Sequence, residues 1–207
     1  MHDPTRYRIP AGPHQAEQVI SRSRFVCSLA HAETTEAAQA FVREIRERWP
    51  DSRHHATAWV AGPPGSSAQV GMSDDGEPHG TAGRPMLNIL LHSGVGEIVA
   101  VVTRWFGGIK LGTGGLARAY AGTVELAMGE LTTVERMDLL TLELIFGYER
   151  IDAIQRLLPR FEAEILEERY LHHVAFAVRL PASAHEMLRT AVADATQGEA
   201  LVRTIEK

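Results

Sequence analysis

Residues 98–121 read IVAVVTRWFGGIKLGTGGLARAYA, and this stretch predicts a strand, a glycine-rich turn and a helix in succession. The run from Ile98 to Thr103 is apolar and β-branched and has the length of a buried strand. Small and apolar residues then recur at the helical spacing i, i+3, i+4 and i+7 from Leu116 to Thr123. Five glycines lie between the strand and the helix, at Gly107, Gly108, Gly112, Gly114 and Gly115.

The glycine-rich turn is predicted to bind an anion. Glycine allows positive φ and close approach of another group, and a helix N-terminus presents free N–H groups and the positive end of its dipole. Turn formation alone does not require five glycines, so the pattern favours a binding surface. Thr113 stands where a P-loop needs lysine, and Ala117 stands where a dinucleotide fingerprint needs its third glycine. The candidate phosphate- or RNA-binding residues are Arg104, Trp105, Phe106, Gly107, Gly108, Lys110, Gly112, Thr113, Gly114, Gly115 and Arg118.

A second unusual stretch, residues 73–83, reads SDDGEPHGTAG and is rich in carboxylates. It could hold Mg²⁺, cap the following helix, or pair with Arg104 and Lys110. Hard cations prefer clustered carboxylate oxygens, but the spacing of a calcium loop is absent. We therefore expect that the protein has no cofactor. The alternative is that Asp74, Asp75 and Glu77 bind Mg²⁺. The candidate polar or metal-binding residues of this region are Ser73, Asp74, Asp75, Glu77, His54 and His55.

The two histidines precede a predicted strand, residues 56–61. Adjacent strand residues point to opposite faces, so at most one of the two can serve a shared site. The acidic loop and the glycine turn hold the densest anionic and cationic motifs of the chain. We expect them to form one surface.

Composition limits the class of protein. The chain has 207 residues, 44% hydrophobic and 23% charged, which is ordinary globular material. No run approaches the ~18 apolar residues of a membrane span, and the first residues lack a hydrophobic signal core. We therefore expect a cytoplasmic protein with no membrane partner. The single cysteine, Cys27, excludes an internal disulfide and is predicted to be a small core residue.

The net charge of −5 argues against a protein that coats nucleic acid over a broad surface. Residues 1–131 carry 12 Lys+Arg and 13 Asp+Glu, whereas residues 132–207 carry 9 and 13. Any contact with a polyanion should therefore be a local patch in the first part of the chain.

Periodicity predicts an α+β protein of two domains, residues 1–131 and 132–207. In the first domain we expect two short strands within residues 19–30, helices over 34–49 and 85–91, and a third helix that ends near 131. In the second domain, strands near 140–146, 163–169, 174–180 and 200–205 alternate with helices near 151–158 and 183–194. That order is β-α-β-β-α-β, which is typical of a ferredoxin-like domain.

Several motifs together resemble the IMPACT family, and within it the bacterial YigZ type. They span most of residues 20–125 and occur in this order: Ser23-Arg24-Phe25, Arg53-His54-His55, residues 73–78 (SDDGEP), residues 80–83 (GTAG), residues 103–108 (TRWFGG) and residues 110–116 (KLGTGGL). The resemblance implies a first domain like the second domain of small-subunit ribosomal protein five. It also implies a second domain like the ferredoxin-like domains of elongation factor G. Eukaryotic members of the family regulate translation by binding a ribosome-associated activator of an initiation-factor kinase, and that partner is not simply carried over to this chain.

The leading hypothesis is a non-enzymatic, translation-associated protein that binds RNA or a ribosomal surface. Arg104, Lys110 and Arg118 would hold phosphates together with the amides of residues 112–115. Trp105 and Phe106 could stack on unpaired bases or could equally belong to the core, and as neighbours at a strand end one should face inward and the other outward. The first alternative is an enzyme, possibly Mg²⁺-dependent, that acts on a phosphorylated small molecule. The second is an adaptor that binds a protein through the acidic second domain, and the oligomeric state is left open.

Overall fold

The computed structural model describes residues 6–205 and has a mixed α/β architecture of two compact units. Residues 7–136 form the first unit, and residues 137–205 together with Arg6 form the second. The predicted boundary at 131–132 stays a prediction about which fragment folds alone. None of the helices within residues 6–205 is long and apolar enough to cross a membrane.

The first unit is built on a five-stranded sheet of order β2-β3-β6-β4-β5, in which neighbouring strands are antiparallel. A separate two-stranded sheet pairs β1 with β7. The elements are β1 (Arg6–Pro10), β2 (His14–Ile20), β3 (Ser23–His31), α1 (Thr35–Arg48), β4 (His54–Val60), β5 (Val70–Ser73), α2 (Gly83–His92), β6 (Ile98–Trp105), α3 (Gly112–Glu130) and β7 (Thr133–Met137).

The central strand β6 is buried on both faces, which explains its continuous apolar sequence. Ile98, Ala100 and Val102 belong to the core that contains residues of α2 and α3. The alternate residues, Val99 and Val101, belong to the core under α1. The strand–turn–helix predicted for residues 98–121 is thus the centre of this unit.

Several boundaries differ from the sequence-based expectation for physical reasons. The strand pair predicted within 19–30 extends from His14 to His31, because β2 and β3 pair along their whole length on either side of a turn at Ser21 and Arg22, which both have positive φ. Helix α2 begins at Gly83, two residues before the predicted start, because an upstream carboxylate accepts its first amides. Strands β1, β5 and β7 were not predicted, since short edge strands carry little periodicity of their own.

The second unit has the predicted element order β-α-β-β-α-β around a four-stranded sheet of order β11-β8-β10-β9 with antiparallel neighbours. Inward residues of β8, including Leu142, Leu144 and Phe146, pack with residues of both helices. The main elements are β8 (Leu139–Phe146), α4 (Ile151–Leu157), β9 (Glu164–Tyr170), β10 (Val174–Pro181), α5 (His185–Thr196) and β11 (Leu201–Ile205). Short 3₁₀ turns lie at Tyr148–Arg150, Leu158–Phe161 and Ala182–Ala184.

Candidate anion-binding site

The glycine turn is held against the β2–β3 turn. A Cβ on Gly107 would lie 1.9 Å from the carbonyl oxygen of Arg22, so only glycine fits there. The Gly107 amide donates to the Oγ of Ser23 at 3.1 Å. Gly112 has φ of 70° and starts α3, and no side chain within residues 6–205 caps that helix. The first amides of α3, which have no partner within the helix, are therefore available to a ligand.

Asp74 caps helix α2. Its two carboxylate oxygens accept from the amides of Gly80 at 2.7 Å, Ala82 at 3.0 Å and Gly83 at 2.9 Å. Burial of the carboxylate opposes ionisation, but these three amide donors hold the pKa of Asp74 below its usual value. Of the three roles that the sequence leaves open for this loop, Asp74 has the capping role.

Asp75 fixes the acidic loop to the start of β4. Its carboxylate accepts from the amide of His55 at 2.6 Å and forms an ion pair with Arg46. Its carbonyl oxygen lies 2.8 Å from Nδ1 of His54, and its amide donates to the Oγ of Ser73 at 3.2 Å. Asp75 therefore has a structural role in which both carboxylate oxygens are occupied.

Glu77 and Arg104 form a buried ion pair. Nη1 of Arg104 lies 2.7 Å from Oε1 of Glu77, and the two side chains are only 7% and 4% exposed. The hydroxyl of Tyr120 donates to the same oxygen at 2.7 Å. Burial and the neighbouring Glu77 carboxylate raise the pKa of Tyr120 well above its ordinary value. We call Glu77, Arg104 and Tyr120 the buried triad.

The buried triad corrects one part of the predicted site. Arg104 was expected to present its charge to phosphate, but its guanidinium is enclosed and pairs with Glu77. The strand pattern explains its position, because Arg104 follows Val102, Ala100 and Ile98 on the face of β6 that packs against α2 and α3.

The predicted magnesium ligands do not converge. Asp74, Asp75 and Glu77 accept hydrogen bonds or ion pairs from three different sets of protein donors. Within residues 6–205 there is no group of three or more histidine, cysteine, aspartate or glutamate side chains that could hold a metal ion.

The two histidines point to opposite sides of β4. His55 is buried, and its Nδ1 lies 3.1 Å from the hydroxyl of Thr103. Burial, with a contribution from the positive charge of Arg46, lowers the pKa of His55. His54 instead lines a cavity next to the glycine turn.

The acidic loop and the glycine turn share that cavity, whose volume is about 720 Å³. We call it the turn cavity. Glu77 and Pro78 come from the acidic loop, residues 51–53 come from the segment before β4, and His54 is the first residue of β4. The remaining lining residues belong to the glycine turn and its flanks: Arg104, Trp105, Phe106, Lys110, Leu111, Gly112, Thr113 and Leu116.

Three exposed cations surround the start of α3. Lys110 and Arg53 line the turn cavity. The guanidinium of Arg118 lies over the first turn of α3, since its Nη1 is 3.5 Å from where a Cβ of residue 114 would be. Among residues 6–205, no carboxylate lies within 4.0 Å of the basic nitrogens of these three side chains. Sequence reasoning did not include Arg53 in the site, although it immediately precedes the His54-His55 pair.

The two aromatic residues after Arg104 differ in exposure, as expected. Phe106 is 59% exposed at the edge of the turn cavity. Trp105 is half-buried: its indole N–H donates to Asp51 at 2.8 Å, and its ring packs edge-on against Trp49. The guanidinium of Arg24 lies 4.7 Å from the centre of the Trp105 ring. The other predicted residues of the turn, Gly108, Gly112, Thr113 and Gly114, are exposed, and Gly115 is half-buried.

Comparisons with known proteins cover almost the whole chain. Residues 21–128 match the Impact N-terminal domain, and residues 144–199 match a domain of unknown function (DUF1949). An Escherichia coli (strain K12) protein named IMPACT family member YigZ is 46% identical over 199 residues, which are 96% of this chain and 98% of that protein. A Haemophilus influenzae IMPACT family member is 36% identical over 97% of both chains. The crystal structure of a hypothetical protein, 45% identical, aligns over 98% of both chains with a TM-score of 0.66. The chain therefore belongs to the IMPACT family.

Proposed function

We propose that this chain is a cytoplasmic, non-enzymatic regulator of translation that binds RNA, alone or on a ribosomal surface, at the turn cavity. We also propose that its first domain is like the second domain of small-subunit ribosomal protein five. Its second domain would be ferredoxin-like, as in elongation factor G. The strand order β11-β8-β10-β9 supports the second assignment.

The observation that carries the proposal is the set of unpaired cations around an uncapped helix start. Arg53, Lys110 and Arg118 have no carboxylate partner among the described residues, and α3 has no side-chain cap. Phosphate oxygens satisfy both needs, because they accept from helix amides and from cationic side chains. The exposed ring of Phe106 adds a surface on which an unpaired base can stack.

The charge pattern supports a weak and local contact. Each phosphate neutralised on a single strand contributes ~0.7 to the slope of log affinity against log salt. Three cations correspond to a slope of roughly −2, and the net charge of −5 adds no wider attraction. Such an interaction suits an accessory factor that binds RNA or a ribosome weakly and reversibly.

The test is a salt titration of RNA binding with a matched charge control. Arg53→Glu/Lys110→Glu removes two cations of the turn cavity, and Arg43→Glu/Arg189→Glu makes the same change in net charge on exposed residues elsewhere. Binding of short single-stranded RNAs and of ribosomes would be measured at several salt concentrations. We expect the first variant to lose affinity for all RNA sequences alike and to reduce the slope by ~1.4, whereas the control keeps the wild-type slope. Equal behaviour of the two variants would refute the assignment of this site.

One observation favours a second candidate function, the binding of a phosphorylated small molecule. The turn cavity, at about 720 Å³, lies within the ~300–1,000 Å³ typical of small-ligand sites. A mononucleotide or sugar phosphate would use the same cations and the same helix start. Competition separates the two: if such a compound displaces RNA at micromolar concentration, the cavity is a small-molecule site, and if only RNA chains bind, it serves RNA.

A further inference from the structure

One oxygen of the buried triad has no protein partner. Oε1 of Glu77 accepts from both Arg104 and Tyr120, but Oε2 accepts no hydrogen bond from a described residue. Among residues 6–205, the buried side-chain nitrogen and oxygen atoms without a hydrogen-bond partner are His14 Nε2, Trp49 Nε1, Trp59 Nε1, Arg104 Nε and Arg150 Nε. Oε2 of Glu77 is not one of these atoms, so it keeps some contact with solvent. Glu77 lines the turn cavity, and its side chain is only 4% exposed. The turn cavity is therefore the place from which a ligand can reach this second oxygen.

The turn cavity consequently makes two opposite chemical demands on a ligand. Lys110, Arg53 and the first amides of α3 require an anion. The Oε2 atom of Glu77 requires a hydrogen-bond donor, because a carboxylate oxygen only accepts. Inorganic phosphate near neutral pH supplies the anion but is a poor hydrogen-bond donor for Oε2. A nucleotide supplies both groups, since its phosphate is anionic and its ribose hydroxyls and base N–H groups donate hydrogen bonds.

We propose that Glu77 is a specificity-determining residue that accepts a hydrogen bond from the nucleotide bound in the turn cavity. This inference rests on the proposed function and specifies which kind of group on the nucleotide Glu77 recognises. The donor is either a ribose 2′-hydroxyl, which distinguishes RNA from DNA, or a base N–H, which distinguishes one base from another. The ion pair with Arg104 holds the carboxylate in position for this contact.

The selectivity should be large for one contact. A bound ligand that lacks the donor displaces water from Oε2 and makes no hydrogen bond to this oxygen. The carboxylate then loses a charge-assisted hydrogen bond. That loss corresponds to roughly a 10- to 100-fold weaker affinity. Loss of one of the phosphate contacts would instead weaken all ligands alike.

The experiment compares ligands first, because changes to the ligand leave the protein intact. Full-length protein would be titrated with one single-stranded RNA sequence, its DNA equivalent and its 2′-O-methyl form, which keeps the oxygen but cannot donate. A panel of the four RNA homopolymers would test the base. A 10- to 100-fold loss for both the DNA and the 2′-O-methyl strand assigns the ribose hydroxyl. A preference of that size for one base, with no effect of the sugar, assigns a base N–H.

Glu77→Gln tests whether Glu77 is the residue that reads the donor. The amide group can place an N–H where the carboxylate placed an acceptor, so the selectivity should disappear while phosphate-dependent binding remains. Tyr120→Phe is the matched control, since it loses a hydrogen bond to Oε1 and leaves Oε2 in place. Circular dichroism would establish that both variants fold, and if Glu77→Gln does not fold, the ligand series decides alone.

The outcomes distinguish this inference from the proposed function. Salt-dependent RNA binding that is indifferent to sugar and base would overturn the role of Glu77 and leave RNA binding at this site intact. Selectivity that survives in folded Glu77→Gln would also overturn it. Absence of RNA binding by the wild-type protein would overturn the proposed function, and this inference with it.

Discussion

Breaking the buried triad from one side should destabilise the first unit far more than removing the ion pair as a whole. Arg104→Met leaves the Glu77 carboxylate at 4% exposure with only the Tyr120 hydroxyl as a donor. Glu77→Gln leaves the Arg104 guanidinium at 7% exposure without its counter-charge. An uncompensated buried charge costs about 3–5 kcal/mol, so each single variant should lose about that much free energy of unfolding.

The double variant Arg104→Met/Glu77→Gln leaves no unpaired charge at the place of the buried triad. Its glutamine can still accept from Tyr120, and its methionine fills much of the space of the arginine stem. Replacement of a buried ion pair by uncharged side chains often changes the free energy of unfolding only slightly. We therefore expect a loss smaller than the sum of the two single variants by more than about 2 kcal/mol.

Equilibrium urea unfolding followed by tryptophan fluorescence measures this directly. All three tryptophans, Trp49, Trp59 and Trp105, lie in the first unit, so the signal reports that unit alone. Lys110→Met is the control for an exposed cation and should change stability by less than about 0.5 kcal/mol. If Arg104 were instead at the surface, where the sequence-based hypothesis has it hold phosphate, each single variant would lose less than about 1 kcal/mol and the losses would add. That result would refute the reasoning.

Three further predictions concern local features of the first unit. Gly107→Ala should lower the free energy of unfolding by more than about 2 kcal/mol because its Cβ has no room, whereas Gly129→Ala, in open space within α3, should raise it by about 0.5–1 kcal/mol. The folded-state pKa of Asp74 is lowered, so its stabilising contribution is complete well above the unfolded carboxyl pKa of ~3.9 and is lost as the pH falls through the folded value. Wild-type stability should accordingly fall more steeply below about pH 4 than that of Asp74→Asn, in urea titrations across pH. A fragment ending at residue 137 keeps β7, the partner of β1, and should unfold at a higher urea concentration than one ending at residue 131; equal midpoints would contradict this role of β7.

Local sequence patterns determined much of the fold. A strand buried on both faces must be apolar throughout, and residues 98–103 show that property directly. The alternation of Leu142, Leu144 and Phe146 identified the first strand of the second unit, and helical spacing identified both of its helices. These signals depend on near neighbours in the chain, so they can be read without knowing which elements meet. The order β-α-β-β-α-β followed from them.

The composition of the site depended on contacts between distant parts of the chain. The sequence indicated that the glycine turn and the acidic loop were both unusual, and the tertiary structure brought them to one cavity. Strand alternation already placed Arg104 on the same face as Val102, but the charge of its side chain suggested a surface position. The buried arginine receives its counter-charge from Glu77, 27 residues earlier, and spacing along the chain does not show that the two side chains meet.

The sequence by itself determined the strand, turn and helix at the centre of the first unit, because hydrophobic period and glycine content act over a few residues. The tertiary structure alone decided which charges are available to a ligand. The charges of Arg104, Asp74 and Asp75 are paired with side chains or backbone amides of other segments, whereas Arg53 and Lys110 have no carboxylate partner within residues 6–205. Whether a charge is paired is a property of three-dimensional distance, and spacing along the chain does not specify it.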